Sequence, residues 1–487
     1  MGDRASSSRR QYLAAVTAVA TTLAGCSGLQ DGSDDAEPSQ PNTSDESTGQ
    51  PDTNASATDD TIQPPDQPIE TPVEGAQAVV ELLANNEFEA ATGLFGEQYQ
   101  SRVSAAGVEN VWLALTGVGG AFDRVIGAEQ TVQSGFDAVD LRLAFTRSEH
   151  TLRVLTESDG TVTGVSINDS YRSPAYVDTG SFASQETTLD ADDCLMDACL
   201  TVPTGAARNS VPGVVLVHGN DPAGQADKNL ETVGTQMFRD LAEGLSSAGV
   251  AVFRYDRRTN ACPGTITPAG YTLDRVAVDD AVAAADQLRA AGPVDPDQAF
   301  VVGHSLGGLV MPRIVDRAGL AGGVALASPG REFFEIVVDQ LEHQATVGEY
   351  TLEQAVTQFE IWRDQIDRVR AGDYQPTDTV IGYPGAFWDS VVAYDNIATA
   401  RSIDAPLLFL QGAHDYQVTQ ADLDSLATAL TDRPETQFRS YDRLNHLFMP
   451  VDLPSLADEY AVRNSVEASV IEDIAAWITS GGELPAR

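Results

Sequence analysis

In the second half of the chain, short apolar runs recur at intervals. Val214-Val215-Leu216-Val217, Val250-Ala251-Val252-Phe253, Ala299-Phe300-Val301-Val302 and Leu407-Leu408-Phe409-Leu410 are continuous and bounded by turn residues, the pattern of strands buried on both faces. Thr436 to Tyr441 alternates and reads as a further strand. Between the runs lie stretches with helical spacing: Met237, Phe238, Leu241 and Leu245; then Val276, Val278, Val282 and Leu288; and near the end Val466, Val470, Ile474 and Trp477. Strands alternating with helices predict an α/β fold with a doubly wound, mostly parallel sheet over residues 185–487. From about 330 to 403 the rhythm breaks into apolar helical segments (Phe333, Phe334, Val337, Leu341, then Leu352, Val356, Phe359, Ile366), which predict a helical cap inserted between sheet elements.

The first half is organised differently. Val79, Leu82, Leu83 and Phe88 have helical spacing and a second helix is expected around Val108 to Leu115, followed by strands at Val139–Phe145, Thr151–Leu155 and Val162–Ile167. Helices first and strands later predict a small α+β unit over residues 73–172. Residues 27–72 are rich in Asp, Glu, Ser, Thr, Gln and Pro and contain no aromatic residue, so the apolar area they could bury cannot offset ordering entropy and a solvated tether is expected. Residues 1–26 read as an address: Arg9-Arg10 resembles a twin-arginine export signal, the apolar stretch after it is too short to span a bilayer, and Leu23-Ala24-Gly25-Cys26 looks like a lipobox. Cys26 is then the lipidated residue that anchors an extracytoplasmic, cell-surface lipoprotein to the membrane.

Charge narrows the setting. Asp and Glu number 72 against 29 Lys and Arg, a formal net charge of -43, and Lys228 is the single lysine. The acids are spread along the chain, so their repulsion opposes compaction in dilute buffer and is screened in concentrated salt, which fits a halophilic source. With no basic stripe, nucleic acid is not an expected partner. No metal-ligand spacing occurs, and neither metal nor cofactor is expected.

The chemistry is carried by Gly303-His304-Ser305-Leu306-Gly307, which stands between a predicted strand and a predicted helix, the order a nucleophile elbow needs. The strand ending at Leu410 leads into Gln411-Gly412-Ala413-His414-Asp415, placing Asp415 just past a buried strand's carboxyl end. Of the six histidines, His446 alone follows both in the order Ser, Asp, His. Ser305, Asp415 and His446 are therefore expected to be nucleophile, orienting acid and base. Attack on a carbonyl builds charge on oxygen, and the Leu306 N–H together with that of Asn220 or its neighbour Asp221 is expected to face it; Pro222 has no N–H to give. Cys194 and Cys199 flank four residues in what reads as the first hairpin of the larger unit, and export favours oxidation, so a Cys194–Cys199 disulfide is expected, with Cys262 left over.

These motifs, with Val214 to Gly219, Arg254-Tyr255-Asp256-Arg257-Arg258 and Leu410 to Val418, resemble the α/β-hydrolase superfamily, and within it esterases whose catalytic domain follows a small N-terminal domain. The resemblance covers residues from about 185 to the end and implies hydrolysis of a small-molecule ester through an acyl-serine intermediate. It also implies that the N-terminal unit is an accessory domain, of cystatin-like or related shape, and that Tyr383 and Trp388 shape an acyl pocket, with His218 a further pocket candidate. Aromatics at helical spacing also serve simply as core. A serine aminopeptidase-like peptidase or an acyltransferase uses the same triad, and a non-catalytic binding lipoprotein is the alternative of another class. For the arginines at 254–258 a structural role is expected.

Overall fold

The computed structural model describes residues 69–133, 135–220 and 226–485. The address segment with Cys26, the tether up to residue 68 and Asp221 lie outside the described residues.

The N-terminal unit opens with helix α1 (Pro72–Ala84), started by Thr71, whose hydroxyl accepts the Glu74 N–H, and by Pro72 at the first helical position. Helices α2 (Phe88–Gly93), α3 (Glu97–Gln100) and α4 (Ala105–Gly119) follow. Strands β1 (Phe122–Gln133), β2 (Phe136–Phe145), β3 (Glu149–Thr156) and β4 (Val162–Ile167) then form an antiparallel meander in sequence order. Val139, Leu141 and Leu143 alternate inward along β2 and meet Val79 and Leu83 of α1 and Trp112 and Leu115 of α4, all buried. The expected order of helices and then strands is what the chain forms. The additional strand β1 is an edge strand with mostly exposed side chains, so it carries no apolar alternation to betray it.

The larger unit runs β5 (Phe182–Ala191), β6 (Cys194–Pro203), β7 (Val211–Val217), α5 (Met237–Ser247), β8 (Ala251–Tyr255), α6 (Arg258–Ala261), α7 (Asp279–Ala290), β9 (Val294–His304), α8 (Leu306–Ala318) and β10 (Gly322–Leu326). The cap follows as α9 (Phe333–Thr346), α10 (Leu352–Ala371), the short ribbon β11 (Thr379–Val380) and β12 (Tyr383–Pro384), α11 (Gly385–Val392) and α12 (Asn396–Ser402). The chain then returns through β13 (Leu407–Gly412), α13 (Gln420–Ala429), β14 (Thr436–Tyr441) and α14 (Ala468–Ser480). Eight strands pair in the order β14-β13-β10-β9-β7-β8-β6-β5, parallel from β14 to β8 and antiparallel at the β6–β5 edge. The cap leaves between β10 and β13, which are neighbours in the sheet.

Period-2 alternation sends the side chains of each central strand to two different layers. Val215 and Val217 join the layer with α7, α8 and the cap, while Val214 and Leu216 join that of α5 and α14, where Phe238 and Trp477 are fully buried. Each such large side chain contributes about 1.5–3 kcal/mol. The chain passes from β7 to β8 on one side and then returns to lay β9 on the other side of β7. The carboxyl ends of β7 and β9 are thus a switch point, where loops diverge and leave a crevice.

The cysteine pairing differs from expectation. Cys194 and Cys199 lie five residues apart on the single strand β6, so their side chains point to opposite faces and their Cα atoms are about 16 Å apart, far beyond disulfide reach. Cys194 pairs instead with Cys262, just past α6, with Cα atoms 5.9 Å apart, and among the described residues Cys199 is the free thiol, buried. The tight turn of the β5–β6 hairpin precedes Cys194, at Asp192 and Asp193.

Of the arginines at 254–258, Arg258 has the structural role expected of them. Arg258 is fully buried; its Nε donates to Asp280 Oδ2 at 3.0 Å and its Nη1 to Asp193 Oδ1 at 2.7 Å, which ties the hairpin to α7. Lys228, half-buried, pairs with Glu186 of β5 at 3.2 Å, and its N–H donates to Asp256 at 2.8 Å. Among the described residues no helix is long and apolar enough to cross a membrane.

Candidate active site

Ser305 sits between β9 and α8 with φ 54° and ψ -116°, a left-handed φ that a side chain tolerates at a cost on the order of 1–3 kcal/mol. The flanking glycines make the turn possible. A Cβ on Gly303 would overlap the Gly307 carbonyl, and one on Gly307 would overlap the Val217 carbonyl at the end of β7. The Ser305 N–H donates to the Leu326 carbonyl at 2.8 Å and is thereby spent on the β10 end. The Leu306 N–H, at the first helical position, is among those a helix leaves without an intrahelical acceptor.

Asp415 follows β13 and is buried. Its Oδ1 accepts the N–H groups of Gln417 and Val418 at 2.8 and 3.0 Å, and its Oδ2 accepts Gln411 Nε2 at 3.0 Å and His446 Nδ1 at 2.8 Å. Four donors on two oxygens fix the carboxylate and leave His446 Nε2 as the imidazole nitrogen that can exchange a proton. His446 comes from the loop after β14, and with Ser305 it lines a cavity of about 150 Å³ at the switch point. The structure therefore brings together the three residues that the motif order singled out.

His304, inside the elbow, donates from Nε2 to the carbonyl of His446 at 3.0 Å. Burial, reinforced by the neighbouring His446, holds its pKa well below the usual histidine value, so the ring stays neutral. After β7, Arg257 donates to the Gly219 carbonyl from its guanidinium and to the Ala226 carbonyl from its backbone N–H, the latter at 3.0 Å, so one residue holds both Gly219 and Ala226. Asn220 lines the cavity, and its two side-chain polar atoms are buried with no hydrogen-bond partner among the described residues. His218 also lines the cavity, its Nε2 bonded to the Asp227 carbonyl at 2.9 Å.

Tyr383 and Trp388 do not line this cavity and are corrected to core positions. Trp388 is fully buried, donates from Nε1 to the Val380 carbonyl at 2.6 Å and stacks on Phe334 with centroids 5.4 Å apart. Tyr383 packs on Phe387 behind it. A satisfied indole N–H turned toward its own ribbon has no reason to face a ligand. The cap instead reaches the cavity through Phe333, Ile336 and Gln340 of α9, joined by Pro329, Gln417 and Tyr460. Of these, Gln417 lay inside the Leu410 to Val418 motif and Phe333 in the cap's apolar pattern; the others carried no signal. Among the described residues no group of three or more His, Cys, Asp or Glu is placed to hold a metal ion.

A second chain of the same atom types lies in the N-terminal unit. The Ser148 hydroxyl is 2.6 Å from His150 Nε2, and His150 Nδ1 is 2.7 Å from Asp169 Oδ2. Asp169 also accepts the N–H groups of Thr151 at 2.9 Å and of Arg463 at 2.8 Å, so it joins the two units.

A model of the alpha/beta hydrolase family matches residues 214–466, and the chain belongs to that family. It is similar to Esterase EstD of Thermotoga maritima, with 28% identity over 404 residues, covering 82% of this chain and 93% of that protein. Among solved structures, Est1E from Butyrivibrio proteoclasticus (14% identity, TM-score 0.39) covers 61% of this chain and 98% of its own. An esterase of Pyrococcus furiosus (16% identity, TM-score 0.38) covers 57% and 90%.

Proposed function

We propose that the chain is a serine carboxylester hydrolase in which Ser305 attacks, His446 shuttles the proton and Asp415 orients the imidazole. The observation that carries this reading is the 2.8 Å bond from His446 Nδ1 to a four-times-bonded Asp415, set in the same crevice as a serine at a strained elbow. The likeness to an esterase over most of both chains supports an ester as substrate.

The Ser305 hydroxyl oxygen bonds to the ester carbonyl carbon as its proton passes to His446 Nε2. Charge on the carbonyl oxygen meets the Leu306 N–H and a second donor from the turn after β7, each worth about 3 kcal/mol. Asn220 supports that second role twice, by its backbone position and by its unpartnered side-chain amide. Collapse breaks the bond to the alcohol, which leaves with the proton from His446, and an acyl-serine remains. Water gives its proton to His446 Nε2 and attacks the acyl carbon; the acyl–oxygen bond breaks, the carboxylic acid leaves, and His446 returns the proton to Ser305. The residues that build this sequence need neither metal nor cofactor.

The setting belongs to the same proposal. Arg9-Arg10 and the segment ending in Cys26 support export and lipid anchoring at the cell surface, and the distributed net charge of -43 supports a high-salt milieu. A fluorophosphonate probe, which phosphonylates activated serines, tests the catalytic reading: labelling at Ser305 together with turnover of nitrophenyl acyl esters above aminoacyl amides is expected. No label and no ester turnover in molar salt would sink it.

A further inference from the structure

We infer that the N-terminal unit is a positioning element for His446, acting through residues 447–463, a segment of the larger unit that it grips at both ends. This rests on the reading of His446 as the base.

The segment leaves His446 and returns. Asn445 closes the loop around the histidine: its Oδ1 accepts the N–H groups of Leu447 and Met449 at 3.0 Å each, and its backbone N–H donates to the Met449 carbonyl at 3.0 Å. The next residues belong to the other unit's core. Val451 and Val462, 1% and 0% exposed, are packed in the apolar cluster of Val79, Leu115 and Leu141 and not in either layer of the large sheet. Backbone and charge follow the same path. The Asp452 N–H donates to the Gly117 carbonyl at 2.9 Å, its carboxylate takes Arg147 Nη1 at 2.7 Å, and the Arg463 N–H is held by Asp169.

Between the two anchors the segment turns back on the histidine loop. Glu459 Oε1 accepts Asn445 Nδ2 at 2.7 Å, and Tyr460 lines the cavity, its hydroxyl accepting Gln417 Nε2 at 2.8 Å. The histidine loop is thus braced by a strap whose ends are set in a different hydrophobic core. Movement of either anchor is transmitted through Asn445 to the neighbouring base, and catalysis is steep in the placement of such a group. A spacer that only held the enzyme off a membrane would not need residues of the catalytic unit inside its own core.

The test uses the full chain, with kcat and KM for a nitrophenyl ester measured well below each variant's melting temperature. Val462→Ala and Asp169→Asn loosen the strap at its second anchor, and Val139→Ala opens the same core on β2, away from the strap. We expect about a tenfold loss of kcat with KM changed by less than about twofold for the first two, and a loss under about twofold for Val139→Ala. Full kcat in Val462→Ala and Asp169→Asn overturns the inference, as does an equal loss in Val139→Ala. A separate outcome, His446→Ala retaining the wild-type rate, overturns the triad reading itself.

Discussion

The Nε2–H of His304 reaches the backbone carbonyl of His446 across 3.0 Å, so the residue just before the elbow serine holds the main chain of the proposed base. The bond couples β9 to the loop after β14 from within the crevice. Its donor is a neutral ring kept neutral by burial.

His304→Phe keeps the ring volume and removes the donor. A hydrogen bond of this kind is worth on the order of 1 kcal/mol, so kcat is expected to fall by about fivefold with the fold retained. Steady-state kinetics alongside a melting curve separate the two effects; an unchanged kcat shows that the bond does not place His446.

Ser305→Ala is expected to lower turnover by about 10⁶-fold, and His446→Ala similarly, because such groups act as a unit. Asp415→Asn allows the wrong imidazole tautomer to form and is expected to cost about 10⁴-fold. Ser305→Ala retaining more than about one per cent of the wild-type rate rules out that nucleophile.

The Cys194–Cys262 bridge closes a loop with a sequence separation of 68 and, in the chain-entropy account, contributes about 4 kcal/mol. Replacing both cysteines by alanine is expected to lower stability to denaturant by roughly that amount. Cys199, whose thiol burial pushes to a higher pKa, should resist alkylation in the native state. Peptide mapping without reductant checks the pairing; a peptide linking Cys194 to Cys199 contradicts it.

Asp240 lies buried under the connection between the units, accepting Tyr171 Oη at 2.8 Å and the Val466 N–H at 3.0 Å, and burial pushes its carboxyl up to about 7. A carboxyl whose folded pKa exceeds its unfolded one binds protons preferentially in the folded state. Its contribution therefore declines as pH rises from about 4 through about 7, by about 1.4 kcal/mol per unit of difference, and levels off above. Asp240→Asn should show a smaller fall in melting temperature between about pH 5 and about pH 8 at constant salt. Parallel pH curves for the two proteins exclude Asp240 as a source of that dependence.

The distributed acids lead to an expectation about salt. Melting temperature should rise between about 0.1 and about 2 M potassium chloride as repulsion is screened. A flat profile over that range would refute a surface adapted to brine.

Most of the large unit could be read from its sequence because parallel strands buried on both faces leave continuous apolar runs, as in Val214 to Val217 and Leu407 to Leu410. The candidate site was legible as far as chemistry is concentrated in motifs, at Ser305, Asp415 and His446, the residues proposed as its triad. Two kinds of fact were not. Long-range pairing is invisible to spacing: Cys194 has a near neighbour in sequence at Cys199, while its partner arrives from the loop beyond β8. The direction in which a cap helix turns its residues depends on what packs behind it, so Trp388 faces its own ribbon and Phe333 the cavity. Nor did anything in Val451 or Val462 announce that they belong to another unit's core, since an apolar residue reads the same whichever core receives it.

Lys228, the single lysine of the sequence and paired with Glu186, is the one side-chain amine open to acylation. Although desolvation works against it, the carboxylate of Glu186 raises the pKa of that ammonium, so acylating dyes should react sluggishly there unless the pH is high. Once attached, a fluorophore would stand beside Asp227, whose carbonyl is bonded to His218 at the cavity wall. Lysine scarcity thus leaves one side-chain amine, close to the crevice, to carry an optical handle once the terminal α-amine, which acylates at lower pH, has been blocked.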